Sequence, residues 1–290
     1  MNFAELTIPQ LAQNAAQHFA TRSAIEDGDI RLTYAQLEVE RVRAAKAFIA
    51  AGIQHGDRIA VWAPNIAEWI IAAIGLQSLG AILVPVNTRM KGAEAGYVLR
   101  ASNAKLLLTV SGFLGFDYPA MLNNEPLPDL QKIICLRGAS DGCMAWQAFL
   151  DQGNHINDAE VSARTAQVKP TDISDLIFTS GTTGNPKGVK TSHGQNIKVF
   201  AVWSELAQLT ENDRYLIVNP FFHSFGYKAG WLACLIRGTA MLPMAVFDAK
   251  EILVRIGSDK ISVLPGPPTL YQTILAFPDL KNYDISNLRL

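Results

Sequence analysis

The ten residues from Thr179 to Gly188, TSGTTGNPKG, gather the groups needed to hold an anion: five hydroxyl or amide side chains, three glycines and one lysine. Backbone amides and side-chain donors in such a run can wrap a phosphate together. Gly181 and Gly184 permit positive φ and a close backbone approach where a Cβ would obstruct phosphate oxygens. Lys187 supplies a compact positive charge, and Thr179, Ser180, Thr182 and Thr183 supply hydroxyls that bond phosphate or contact a magnesium ion. Pro186 stiffens the return. The chemistry expected of this set is that of ATP.

Leu176, Ile177 and Phe178 form an apolar run ahead of these residues, and Ser192 begins a helical pattern behind them, so the expected setting is strand, loop, helix. The spacing is not that of a P-loop nucleotidase, because four residues after Gly181 comes Pro186 rather than the second glycine of GxxxxGK[ST]. On composition alone, a cluster of Gly, Thr and Pro marks an ordinary surface turn. The order of the residues argues for more.

TSGTTGNPKG resembles the signature loop of the adenylate-forming superfamily, which includes acyl-CoA synthetases, luciferases and the adenylation domains of peptide synthetases. GDRIAVWAPNIAEWIIAAIGLQSLGAILVPVNTR, from Gly56 to Arg89, is similar to the early part of an acyl-CoA ligase. PFFHSFGYKAG, from Pro220 to Gly230, and LPGPPTLYQTIL, from Leu264 to Leu275, are similar to the later core motifs. These two strings look most like bacterial CoA ligases for fatty, alicyclic or steroid-derived acids.

The resemblance implies two half-reactions, adenylation of a carboxylic acid by Mg·ATP and transfer of the acyl group to CoA, so that ATP, Mg²⁺ and CoA are the expected cofactors. It implies Thr179 as a metal contact and His223 as a group beside the carboxylate and the forming adenylate. Phe222, His223, Phe225, Gly226 and Tyr227 are then expected along the acyl tunnel, with Gly226 leaving room. Lys187 and His223 are the expected catalytic residues. His193, which ends the matching string GVKTSH, is read as a loop or helix-start residue.

A serine hydrolase is the rival from another enzyme class, since Ser224 lies between His223 and Gly226. A nucleophile elbow reads GxSxG, and Phe222 occupies its first glycine position. The non-enzymatic rival is a nucleotide-binding or interaction module without turnover. The superfamily's members run on past the point reached by SNLRL at Leu290, so these residues read as an N-terminal portion that lacks the full catalytic set. An end within a strand is expected to expose apolar surface and promote self-association.

A chain of 290 residues with 49% hydrophobic content can bury a large core. Its net charge of −1 gives no global field for nucleic acid or an anionic membrane, so no nucleic-acid partner is expected. Cys135, Cys143 and Cys234 are odd in number and lack CxxC spacing, which argues against a disulfide framework or structural zinc and fits a cytoplasmic setting. The nearest candidate for a membrane span, Trp69 to Leu76, is too short for a transmembrane segment.

Alternating signals set the elements that must position the loop. Thr33 with Gln36 opens a helix that Gly52 stops, and Asn65 with Glu68 signals a second one ending near Gly80. Strands are expected over Arg58–Trp62, Ala81–Val86, Lys105–Val110, Arg214–Val218, Thr239–Met244 and Ile261–Leu264, with helices over Ser192–Leu206, Tyr227–Arg237 and Pro268–Phe277. The expected fold is α/β, made of layered parallel-sheet subdomains. The division expected is 1–170, ending in a connecting segment over Asp151–Pro170, and 171–290, which carries the phosphate loop.

Overall fold

Thr7, Thr33 and Ser192 each open a helix by the same device. The hydroxyl accepts from the backbone N–H of a glutamine three residues on, and that glutamine's side chain accepts from the capping residue's own N–H. The structure, a computed structural model, describes residues 5–179 and 186–290. In chain order its elements are α1 (Ile8–His18), β1 (Ser23–Asp27), β2 (Ile30–Thr33), α2 (Tyr34–Ala50), β3 (Arg58–Trp62), α3 (Ala67–Gln77), β4 (Ile82–Pro85) and α4 (Gly92–Ser102). Next come β5 (Ala104–Phe113), β6 (Phe116–Asp117), β7 (Lys132–Arg137), β8 (Met144–Ala145), α5 (Trp146–Asp151), α6 (Asp158–Gln167), β9 (Ile173–Thr179), β10 (Lys187–Ser192) and α7 (His193–Leu206). The chain closes with β11 (Arg214–Ile217), α8 (Ser224–Gly226), a π-helical segment (Tyr227–Leu232), α9 (Ala233–Arg237), β12 (Ala240–Pro243), α10 (Ala249–Ser258) and α11 (Pro268–Leu275).

The strands of the described residues form two sheets. One runs β11-β12-β1-β2, parallel except for the β1–β2 hairpin. The other runs β10-β9-β4-β3-β5-β7-β8, parallel except for β10 at its edge, with β6 folded back on β5. Each sheet draws strands from both sides of residue 170, so the sheets do not part there. β3 and α3 bury nearly every side chain, which is why Ile59–Trp62 and Trp69–Leu76 read as continuous apolar runs.

Four local expectations are corrected. The hairpin strand β10 follows the loop directly, so the setting is strand, loop, strand, helix. The stretch expected as a connector contains α6, capped by Asn157, whose side chain accepts from the N–H of Ala159 at 2.9 Å. The strand expected over Ile261–Leu264 reduces to one bridge, Val263 opposite Tyr215: Ser262 and Val263 donate to the same Arg214 carbonyl of β11, and on their other side Ser262 and Leu264 bond to the backbone of Arg289 and Leu290. Asn65 does not cap α3. The N–H of Ala67 is taken by Asp27 of β1 at 2.9 Å, and Glu68 pairs with Arg137. The three cysteines are free thiols. Among the described residues no helix is long and apolar enough to cross a membrane.

Candidate active site

The hairpin β9–β10 places Thr179 and Lys187 directly opposite each other at the foot of the loop. Both are exposed, and the Thr179 hydroxyl lies 3.5 Å from the Lys187 carbonyl oxygen. Lys187 makes no ion pair among the described residues, so its charge is uncommitted. Ser180, Gly181, Thr182, Thr183 and Gly184 lie outside the described residues. The loop's return arm is held by Tyr97 of α4, whose hydroxyl donates to the Pro186 carbonyl at 3.2 Å and whose ring stands edge-on to Phe178.

His223 follows the carboxyl end of β11, where open parallel sheets place their ligands. Asn65 fixes the connecting turn. Its amide donates to the carbonyls of Ile217 and Asn219 at 3.0 and 2.9 Å, and its oxygen accepts from the N–H of Phe221 at 2.7 Å. Trp69 packs against Phe221, Tyr227 and Trp231, and the last two rings stack 4.7 Å apart. His223 is therefore an exposed side chain on a backbone anchored from both sides. Its Nδ1 accepts from the N–H of Phe225 at 3.3 Å, which leaves the proton of the neutral ring on Nε2. That nitrogen can donate to a carboxylate. With Nδ1 occupied, no hydrogen bond joins His223 to Ser224 among the described contacts, so the serine hydrolase reading finds no paired base.

One cavity of about 410 Å³ brings the two segments together: Thr179 and Pro186 form one side, and Phe222, His223 and Ser224 another. Arg89 and Glu94 complete its polar wall. A second cavity of about 420 Å³ shares Phe222 and Arg89 with the first and extends between Phe113, Val246, Phe247 and Leu270. Both lie at the carboxyl ends of β4, β9, β11 or β12. Phe225, Gly226 and Tyr227 line neither cavity. Phe225 is half-buried, and Tyr227 is fully buried with its hydroxyl accepting from Gln77 at 2.9 Å. Gly226 lacks a Cβ because the carbonyls of Asn219 and Pro220 occupy that space. Its role is close backbone packing rather than room for a tunnel.

Several site residues were not singled out by sequence. Arg89 is exposed and borders both cavities; its signal was the polar triplet Asn87-Thr88-Arg89 directly after a buried strand. Tyr97 and Asn65 act through contacts distant in sequence, which no local pattern encodes. Beneath the hairpin, Lys228 of the π-helical segment pairs with Asp175 of β9 at 2.9 Å, both side chains being almost wholly buried. His193 accepts the N–H of Ile8 on Nδ1 at 3.2 Å, and burial pulls its pKa down to about 4 against the opposing pull of Asp175 and Asp172. It is a structural residue at the start of α7. Among the described residues no cluster of three His, Cys, Asp or Glu side chains could hold a metal.

Comparison with known proteins shows the family. The AMP-binding enzyme family model matches residues 11–290. A methyl-dioxo-octahydroindenyl-propanoyl:CoA ligase of Rhodococcus jostii is 42% identical over 290 aligned residues, covering 98% of this chain and 56% of that protein. The ligase of the same name from Mycobacterium tuberculosis is 41% identical, with 98% and 55% covered. Among solved structures, the anthranilate CoA ligase AuaEII in complex with anthranoyl-AMP superposes with a TM-score of 0.86 at 25% identity, over 98% of this chain and 54% of that one. The chain thus spans about half the length of the curated relatives it matches. With the family model reaching from α1 to the last residue, the chain belongs to the AMP-binding enzyme family.

Proposed function

We propose that these residues form the ATP- and acid-binding part of an AMP-forming carboxylic acid:CoA ligase. The observation that carries the reading is the cavity in which the foot of the phosphate loop, Thr179 and Pro186, faces Phe222 and His223. An oxygen of the acid attacks the α-phosphorus of ATP, the bond to the β-phosphate breaks, and pyrophosphate leaves. The CoA sulfur then attacks the acyl carbon and AMP departs. Catalysis of the first step is mainly positioning and charge stabilisation. Lys187, uncommitted at the loop's foot, and Arg89, on the wall between the cavities, supply the positive charge that the departing pyrophosphate needs. Nε2–H of His223 donates to the acid and holds it for attack.

Magnesium enters with ATP as part of the substrate. A hydroxyl such as that of Thr179 suits an ion that keeps most of its ligands as water and phosphate oxygens. The apolar part of the acid takes the second cavity, whose wall of Phe113, Val246 and Phe247 suits a compact hydrocarbon better than a polar group. The two indane-derived acid ligases make fused-ring propanoates the first candidates. The three free thiols accord with the cytosol, where we place the enzyme.

The test is to supply the enzyme carrying these residues with ATP, CoA and a panel of fused-ring, medium-chain and aromatic acids, and to measure AMP and thioester together. AMP and thioester formed in equal amounts, only when an acid is present, are expected. Release of ADP, or nucleotide turnover independent of any acid, would contradict the reading. Hydrolysis of an ester blocked by a serine-directed phosphonate would favour the hydrolase instead.

A further inference from the structure

Below the exposed site lies a buried ionic cluster that the chemistry above does not use. Asp175 accepts on Oδ1 from Lys228 at 2.9 Å and from the Thr191 hydroxyl at 2.7 Å, and on Oδ2 from Ser174 at 2.8 Å and Asn196 at 2.6 Å. The Lys228 ammonium also donates to the Thr191 hydroxyl at 2.8 Å. The side chains of Lys228 and Asp175 are 6% and 0% exposed. An ion pair this deep costs desolvation that its own attraction barely offsets, so a well-packed apolar pair would serve stability as well. The cluster's placement suggests what it does instead.

Asp175 and Thr191 are cross-strand partners in β9–β10, four residues below the pair Thr179 and Lys187 at the loop's foot. Lys228 stands five residues after His223, in a helical run that begins at Ser224. Within that run the π-helical segment Tyr227–Leu232, with Gly230 at φ −89° and ψ −106°, widens the turn, and the consecutive residues Tyr227 and Lys228 are both buried. Such widened turns recur at functional sites, where they re-aim side chains. Here Lys228 meets the hairpin while Tyr227 joins the aromatic cluster under Phe221. The contact joins the strand pair that carries the loop to the helical run that follows His223, beside a second, neutral link in which Gln77 donates to both the Ser174 carbonyl of β9 and the Tyr227 hydroxyl.

We propose that Lys228 is a positioning residue for adenylate formation: bridged to Asp175 and Thr191, it sets the distance and orientation between the phosphate loop and His223. This rests on the adenylation reading of the site. Because attack on phosphorus tolerates little misalignment, loosening that link lowers kcat while leaving ATP affinity nearly intact.

The test measures acid-dependent ATP–pyrophosphate exchange and thermal melting in the enzyme carrying these residues. Lys228→Met alone strands a buried carboxylate and is expected to lower both melting temperature and rate. The double variant Asp175→Asn/Lys228→Met removes the stranded charge; it is expected to recover most of the melting temperature while kcat stays down about 100-fold and KM for ATP moves less than about threefold. Thr191→Val keeps the ion pair and removes only the bridging hydroxyl, and is expected to slow exchange about tenfold at near-native melting temperature. Exchange in the double variant and in Thr191→Val within about threefold of wild type would overturn the positioning role while leaving the adenylation reading intact. An absence of exchange in the wild type with every acid tried would overturn both.

Discussion

The side-chain oxygen of Asn65 accepts the backbone N–H of Phe221 at 2.7 Å, and through that bond the turn between β11 and His223 is tied to a residue 156 positions earlier in the chain. Asn65 also satisfies the Asn219 carbonyl and adds a second donor to the Ile217 carbonyl, which already accepts from the N–H of Met244, so its loss strands the Phe221 N–H and the Asn219 carbonyl. Asn65→Ala is expected to cost about 2–4 kcal/mol, seen as a lower denaturant midpoint at unchanged m-value. Asn65→Asp puts a carboxylate against two carbonyls and should cost at least as much. A variant Asn65→Ala as stable as wild type would show that the turn is held by the aromatic cluster alone.

Gly226→Ala is expected to lower stability by about 1–3 kcal/mol, because the added methyl meets the carbonyls of Asn219 and Pro220 rather than empty space. The same substitution should lower turnover with every acid to a similar degree, since it displaces the His223 turn as a whole. A variant that folds normally and loses only its larger acids would instead place Gly226 on an acyl tunnel.

Stability should fall with acid in two stages. Burial holds His193 at about 4, below its ordinary 6.5, so between those values the unfolded chain binds a proton that the folded chain refuses. Stability from this source is complete above pH 6.5 and is lost as pH falls toward 4, by up to about 3 kcal/mol. The ion pair with Arg214, opposed by burial, holds Glu26 at about 2. Asp213, which burial alone would raise, is brought to about 2 by Arg289, Ser262 and Thr210. Their contribution is present above the ordinary carboxylate range and is lost as pH falls from about 4.5 toward 2. Melting followed from pH 7 to pH 4 in His193→Gln, whose amide can still accept from Ile8, should give a flatter curve than wild type. Parallel curves would remove His193 as the cause.

The fold was legible wherever local pattern and burial coincide. Thr33 with Gln36 marked the start of α2, and the apolar run Arg58–Trp62 is the strand β3, because capping and burial act within a few residues. The same signal misled at Asn65, whose side chain is claimed by β11's turn while Asp27 caps the helix from another strand. β10 was hidden because Lys187–Ser192 is an exposed edge strand whose alternation is polar throughout its first four residues except Val189. At the site, the positions of Thr179, Lys187 and His223 on one cavity rim or its hairpin foot were expected from the order of residues. Arg89, Tyr97 and Lys228 were not, since each reaches the site through tertiary contacts alone.

The central claim is that the loop ending at Lys187 grips the polyphosphate while an acid is activated beside His223. Acid-dependent ATP–pyrophosphate exchange in Lys187→Ala, compared with wild type at saturating ATP, tests it most directly. Lys187 is an exposed edge-strand residue, so its removal should leave the melting temperature unchanged. Exchange is predicted to fall about 100-fold, the loss of one charge-stabilising donor worth on the order of 3 kcal/mol. Exchange at the wild-type rate would contradict the account.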